Sequence, residues 1–117
     1  MTNLYKYHSN PESILWYKEA FEVVPELVWE KYKNDPEELK KREHILAKDA
    51  LPASYYAITI IRKPFPLGEE AISKNAHYSY WYAYKVLNKP FPLGEEAISK
   101  NEYWNNQYQQ FLKPPFP

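Results

Sequence analysis

The sequence predicts an all-α fold of short helical hairpins, about 26 residues each, stacked into a compact solenoid-like domain behind an N-terminal helical segment. Three observations carry this. Residues 63–75 read KPFPLGEEAISKN, and residues 89–101 repeat all thirteen at an offset of 26; periods of 20–50 residues mark stacked supersecondary units. Asn10-Pro11-Glu12 and Asp35-Pro36-Glu37 each place a capping side chain before a proline at the first helical position. No strand alternation of useful length occurs. The one β-like run, 58–61, falls inside a helix once the repeat is imposed.

From the N-terminus, the first cap-plus-proline signal opens a helix whose apolar stripe is Ile14, Tyr17, Phe21 and Val24. Pro25 interrupts it, and Leu27, Val28 and Tyr32 continue on a short second helix. Asp35-Pro36 opens a third, along which Glu37–Lys41 and Glu38–Arg42 are favourable i, i+4 pairs. These helices occupy residues 1–38 of a single domain, 1–117, and three copies follow at 39–65, 66–91 and 92–117. In the middle copy a short helix spans about 67–74, with Glu69 and Glu70 in its first turn, where the helix dipole favours anions, and Lys74 in its last. Asn75 ends that helix and caps the next, with Asp49 and Asn101 at the matching positions. The second helix runs over about 76–87, and Pro90 and Pro92 stop it and hold KPFP extended. Pro52 would be the third residue of its helix, inside the turn whose N–H groups have no intrahelical partner.

The repeat also separates core from surface. Positions 79, 82, 83 and 86 hold Ser, Tyr, Ala and Val; their equivalents are Ala53, Tyr56, Ala57 and Ile60 before them, and Asn105, Tyr108, Gln109 and Leu112 after. Small, aromatic, small, aliphatic at i, i+3, i+4, i+7 suits close helix packing, so Tyr56, Tyr82 and Tyr108 are expected core anchors. The other side of the middle copy carries Tyr78, Tyr80, Trp81, Tyr84 and Lys85. The last copy holds Trp104, Asn106, Gln107, Gln110 and Phe111 at the matching positions, and this turn toward polar residues is what the water-facing end of a stacked array needs.

These residues carry a resemblance. KPFPLGEEAISKN followed by A-x-Y-S-Y-W-Y-A-Y-K-V-L resembles a short tandem helical repeat of phage and bacterial proteins that reads G-R-[FW]-P-E-x-E-x-x-I-x-x-D-P, then A-Y-x-Y-A-R-x-V-[IL]. The matching positions are Phe65, Pro66, Glu70, Ile72, Asn75, Tyr80, Tyr82, Ala83, Val86 and Leu87, with Phe91, Pro92 and Ile98 in the next copy. Coverage runs from about Glu43 to the end, leaving residues 1–42 unmatched; Lys-Pro replaces Gly-Arg, Asn75 replaces Asp, and Lys85 lies near the usual Arg. The resemblance implies a helical array and, by association, a phage or mobile-element origin. It implies no activity.

Composition bounds the function. Fifteen basic and fifteen acidic residues give zero net charge, which disfavours a counterion-release DNA binder. There is no Cys, excluding disulfides, Cys-type zinc sites and thiol chemistry. Residues 1–10 lack a secretory apolar run and no stretch reads as a membrane span, so a cytoplasmic protein without membrane contact is expected, in the host cytoplasm if phage-encoded. Twelve Tyr and four Trp supply apolar area in place of aliphatics.

No catalytic constellation emerges. Glu69-Glu70 and Glu95-Glu96 resemble paired carboxylates but sit where first turns favour negative charge. His8, His44 and His77 have no metal-ligand spacing, Gly68 and Gly94 are too isolated for a phosphate loop, and Ser73 and Ser99 lack a nucleophile elbow. No enzymatic activity, cofactor or metal is expected. The aromatic stripe Tyr78, Tyr80, Trp81, Tyr84 and Lys85 is the candidate partner-binding site, rich in hot-spot residue types; alternatively, part of it packs on neighbouring helices. The primary expectation is a protein-binding module, in its concrete form a phage-encoded inhibitor of a bacterial defence factor acting by steric occlusion. Two alternatives stay open. The rings could stack single-stranded RNA, with Arg62, Lys63, Lys85 and Lys89 on phosphates, or a flat aromatic face could close a homodimer.

Overall fold

The computed structural model describes residues 19–113, and all their regular structure is helical. The Asn10-Pro11 start signal, Ile14, Tyr17 and His8 lie outside the described residues. Residues 19–23 are helical, the chain steps at Val24, and Pro25 opens α1, Pro25–Tyr32. Then follow α2, Pro36–Lys40, and α3, Glu43–Leu46. From there each unit is a long helix, a connector ending in a single 3₁₀ turn, and a short helix: α4, Ala50–Tyr55, then Pro66–Gly68 and α5, Glu69–Ser73; α6, Ala76–Trp81, then Pro92–Gly94 and α7, Glu95–Ser99. The last long helix is α8, Glu102–Leu112. The body measures 58 × 30 × 18 Å, elongated as a one-dimensional stack should be.

The N-terminal segment is tied down by polar contacts. Tyr32 donates its hydroxyl to Glu22 at 2.6 Å, Lys31 pairs with Glu22 at 2.9 Å and Arg42 at 3.3 Å, and together they hold the Glu22 carboxyl down at about 2. The Arg42 guanidinium also lies 3.9 Å over the Tyr32 ring. Asp35 caps α2, accepting from the Glu38 amide at 3.3 Å. The expected Glu38–Arg42 pair forms at 2.9 Å, but the expected Glu37–Lys41 pair does not. The helix ends at Lys40, and Lys41, just past it, turns to Glu38 at 2.8 Å instead.

The caps show how one residue changes local structure. Asn75 and Asn101 accept from the amides of Tyr78 and Trp104, the third residues of α6 and α8, at 3.0 and 3.1 Å. Asp49, expected to do the same for α4, makes no side-chain cap bond. The third residue of α4 is Pro52, which has no N–H to offer.

Both inner long helices widen midway. After Tyr55 and Trp81 the backbone becomes π-helical over Tyr56–Ile61 and Tyr82–Leu87, while α8 stays α-helical throughout. Tyr56 to Phe65 and Tyr82 to Phe91 are each nine positions apart. Both rings of each pair are anchored edge to face, with centroids 5.2 and 5.1 Å apart, and the wider turn lies in the stretch of chain between them.

Each π segment stops on a left-handed residue, Arg62 at φ 51° and Asn88 at φ 53°. Asn tolerates this region better than Arg. Arg62→Asn, which copies the solution in the next unit, is therefore expected to raise stability by about 0.5 kcal/mol, read from the urea midpoint at unchanged slope.

Burial follows the repeat register. Leu39, Phe65 and Phe91 form one column, Leu46, Ile72 and Ile98 a second, and Tyr56, Tyr82 and Tyr108 a third, all buried. Ala53 and Ser79 are fully buried because the next short helix lies directly on them; a Cβ on Gly94 would come within 2.5 Å of Ser79 Oγ. At the position of Ala53 and Ser79, and at that of Ala57 and Ala83, α8 carries Asn105 and exposed Gln109, which hydrogen-bond each other at 3.4 Å. The described end of the stack is polar.

Candidate functional site

Each core Tyr is a polar lock as well as an apolar anchor. Tyr82 donates to Glu69 Oε2 at 2.6 Å and accepts from the Phe65 amide at 2.8 Å; Tyr108 does the same with Glu95 at 2.7 Å and Phe91 at 2.9 Å. Tyr56 reaches Glu43 at 2.5 Å but receives no connector amide, since the Leu39 amide at the equivalent position already bonds Asp35. Burial, and then the carboxylate beside it, push all three phenols well above their ordinary value, so each remains a donor. One carboxylate of each Glu-Glu pair is thereby given to structure.

The remaining rings line the seams between long helices. Trp29 stacks on Tyr55 at 6.0 Å, Tyr55 meets Tyr78 at 6.2 Å, and His77 lies against Tyr78, Trp81 and Trp104 at 4.9, 4.3 and 4.5 Å. Beyond them Tyr80 contacts Trp104 at 5.6 Å and Tyr84 at 5.8 Å, and Tyr84 meets Phe111 at 5.6 Å. A continuous aromatic ladder thus runs from α1 to α8.

The five residues expected as one surface stripe are brought together but divided by burial. Tyr78, Tyr80 and Trp81 are half-buried in the ladder, because the outer rings of one helix fill the seam with the next. Tyr84, 47% exposed, and Lys85, whose Nζ lies 5.5 Å over the Tyr84 ring, face solvent. Tyr103, 60% exposed and edge-on to Trp104 at 4.7 Å, connects to Tyr84 through Trp104 and Tyr80. The register matched Trp104 to Tyr78 without including it in the candidate site, and it missed Tyr103, which is His77 moved on by 26.

No family model, curated protein or solved structure matches this chain. The functional reading therefore rests on its own surface. Among the described residues no group of three His, Asp or Glu side chains could hold a metal ion, and no helix is long and apolar enough to cross a membrane. Arg62, Lys63 and Lys89 are exposed on the connectors.

His77 gives the ladder a pH dependence with a definite sign. Burial among the rings lowers its pKa from the ordinary 6.5. The unfolded chain then binds the proton more readily than the folded one, so this contribution is complete above pH 6.5 and is lost as pH falls through the folded value. Between pH 7.5 and 5.5 the urea midpoint of the wild type should fall further than that of His77→Phe. Equal changes in the two proteins would remove His77 as the cause.

Proposed function

We propose that this chain is a non-enzymatic module that binds another protein through the edge formed by Tyr84, Lys85 and Tyr103, with Tyr78, Tyr80 and Trp81 as the supporting layer. The observation that carries the reading is that exposed aromatic rings are held by a packed ladder rather than by a loop. Rigid Tyr side chains bury large area at low entropic cost, which is what interface hot spots require. In its concrete form the module occludes a surface of its partner as an inhibitor; a bacterial defence factor as target rests on the phage-repeat resemblance alone. A cytoplasmic setting belongs to the same reading, and the cysteine-free composition is compatible with it.

The test is capture from bacterial lysate on immobilised protein, with bound partners identified by mass spectrometry. Tyr84→Ala with Tyr103→Ala should weaken capture about thirtyfold or more, as loss of about 2 kcal/mol at a hot spot implies. Unchanged capture would show the edge to be wrong. Tight single-stranded RNA binding that collapses as salt rises would replace this reading with the nucleic-acid one.

A further inference from the structure

The short helices carry a surface that the aromatic edge does not use. Residues 67, 70, 71 and 74, and again 93, 96, 97 and 100, are spaced i, i+3, i+4, i+7, so each short helix turns a Leu-Glu-Ala-Lys stripe outward. A cleft of about 620 Å³ lies between residues 44–50 and the first stripe, and one of about 530 Å³ between the two stripes. Their residues correspond at the 26-residue offset: Ala47, Ala50 and Ala71 line the first, Ala76 and Ala97 the second. Leu67 and Leu93 at their walls are 59% and 57% exposed. Large apolar side chains repeated on one face and left in water mark an interaction surface.

Charge on this face is ordered in two parallel rows. One consists of Glu70 and Glu96, preceded by His44 at the equivalent position; the other consists of Lys48, Lys74 and Lys100. Among the described residues Lys48 and Lys74 form no ion pair, and Lys100 meets Glu96 at 3.3 Å with both side chains more than 70% exposed. Such a pair exchanges readily with water or with another partner. Helix-end electrostatics explain why each charge sits where it does. They do not use the exposed leucines.

We infer that this face is self-complementary and that its occupant is a second copy of the chain. A two-fold axis running across the short helices, parallel to the rows, sets the Glu row of one copy over the Lys row of the other, and the reverse. Glu70 then faces Lys74 of the second copy and Glu96 faces its Lys100, while Leu67 and Leu93 are covered along the flanks of the two rows. An axis along the helices would set like charges together and is disfavoured. A few small apolar contacts with rim-type ion pairs make a weak, salt-sensitive dimer, dissociating on the order of 10–100 μM.

Sedimentation velocity of the full chain tests this. Wild type at about 500 μM and low salt should run as a dimer, well above the dissociation range just given. Glu70→Lys/Glu96→Lys and Lys74→Glu/Lys100→Glu should each run as monomers with unchanged helical circular dichroism, and their equimolar mixture should regain the dimer. A monomeric wild type, a dimer indifferent to both charge reversals, or a mixture that stays monomeric would each overturn the assignment. Persistence of the dimer in Tyr84→Ala/Tyr103→Ala separates this face from the aromatic edge, and loss of the dimer there would move self-association to that edge.

Discussion

Tyr82→Phe is expected to destabilise the protein by about 2–4 kcal/mol, although it removes a single oxygen atom. That oxygen has two obligations: it donates to the Glu69 carboxylate and accepts from the Phe65 amide in a buried connector. Without it the amide has no partner, and an unsatisfied buried donor costs more than the hydrogen bond gains. Tyr108→Phe breaks the equivalent pair, with Glu95 and Phe91. Tyr56→Phe loses only the bond to Glu43, so its cost is expected to be about 1–2 kcal/mol. Urea titration of the three variants should place Tyr56→Phe as the mildest. Three equal losses would mean that the connector amides contribute nothing.

Gly94→Ala is expected to cost about 3 kcal/mol for a different reason. Gly94 has φ −92°, a conformation alanine adopts freely, so no backbone preference is at stake. The obstacle is space: the new Cβ would lie 2.6 Å from Ser79 Cβ and 2.7 Å from the Phe91 ring. Ser79 cannot retreat, since it is fully buried and its hydroxyl donates to the Ile72 carbonyl at 2.9 Å. α7 must therefore move away from α6. Ser79→Gly combined with Gly94→Ala should recover part of the loss in thermal midpoint, because the serine Cβ and Oγ are the nearest atoms. Failure of this rescue would place the conflict at Phe91 instead. Gly68→Ala meets the Phe65 ring at 2.7 Å and Ala53 Cβ at 2.9 Å, the same conflict one unit earlier.

Much of this arrangement was legible because the chain repeats itself. The offset of 26 correctly placed Tyr56, Tyr82 and Tyr108 in the core, the capping Asn75 and Asn101, and small residues where helices meet. What escaped depended on relations between positions rather than on their types. Asp49 is a good cap residue that fails because Pro52 removes its donor. The π turns lie between a Tyr and a Phe that are anchored to each other, a relation between positions rather than a residue type. The Tyr–Glu lock was also present in the sequence, as a Glu thirteen positions before each Tyr in all three copies, but charge at a helix start already explained those residues. Exposure at Tyr78, Tyr80 and Trp81 could not be read from periodicity, which identifies a face and not the neighbour that covers it. The aromatic edge became visible only when Tyr103 and Trp104, from the next copy, were linked to Tyr84 through Tyr80.

In the last two long helices a phenol, Tyr82 or Tyr108, holds the connector that leads into the preceding short helix, turning Pro-flanked, non-helical segments into parts of a rigid array. Amide hydrogen exchange at Phe65 and Phe91 measures this directly, because both amides lie outside the regular helices and are satisfied only by Tyr82 and Tyr108. Both should be protected to a degree approaching the α6 core, while the exposed connector residues Lys63 and Lys89 exchange rapidly. In Tyr82→Phe, protection should disappear at Phe65 and persist at Phe91. Phe65 and Phe91 amides that exchange as fast as Lys63 in the wild type would contradict the account.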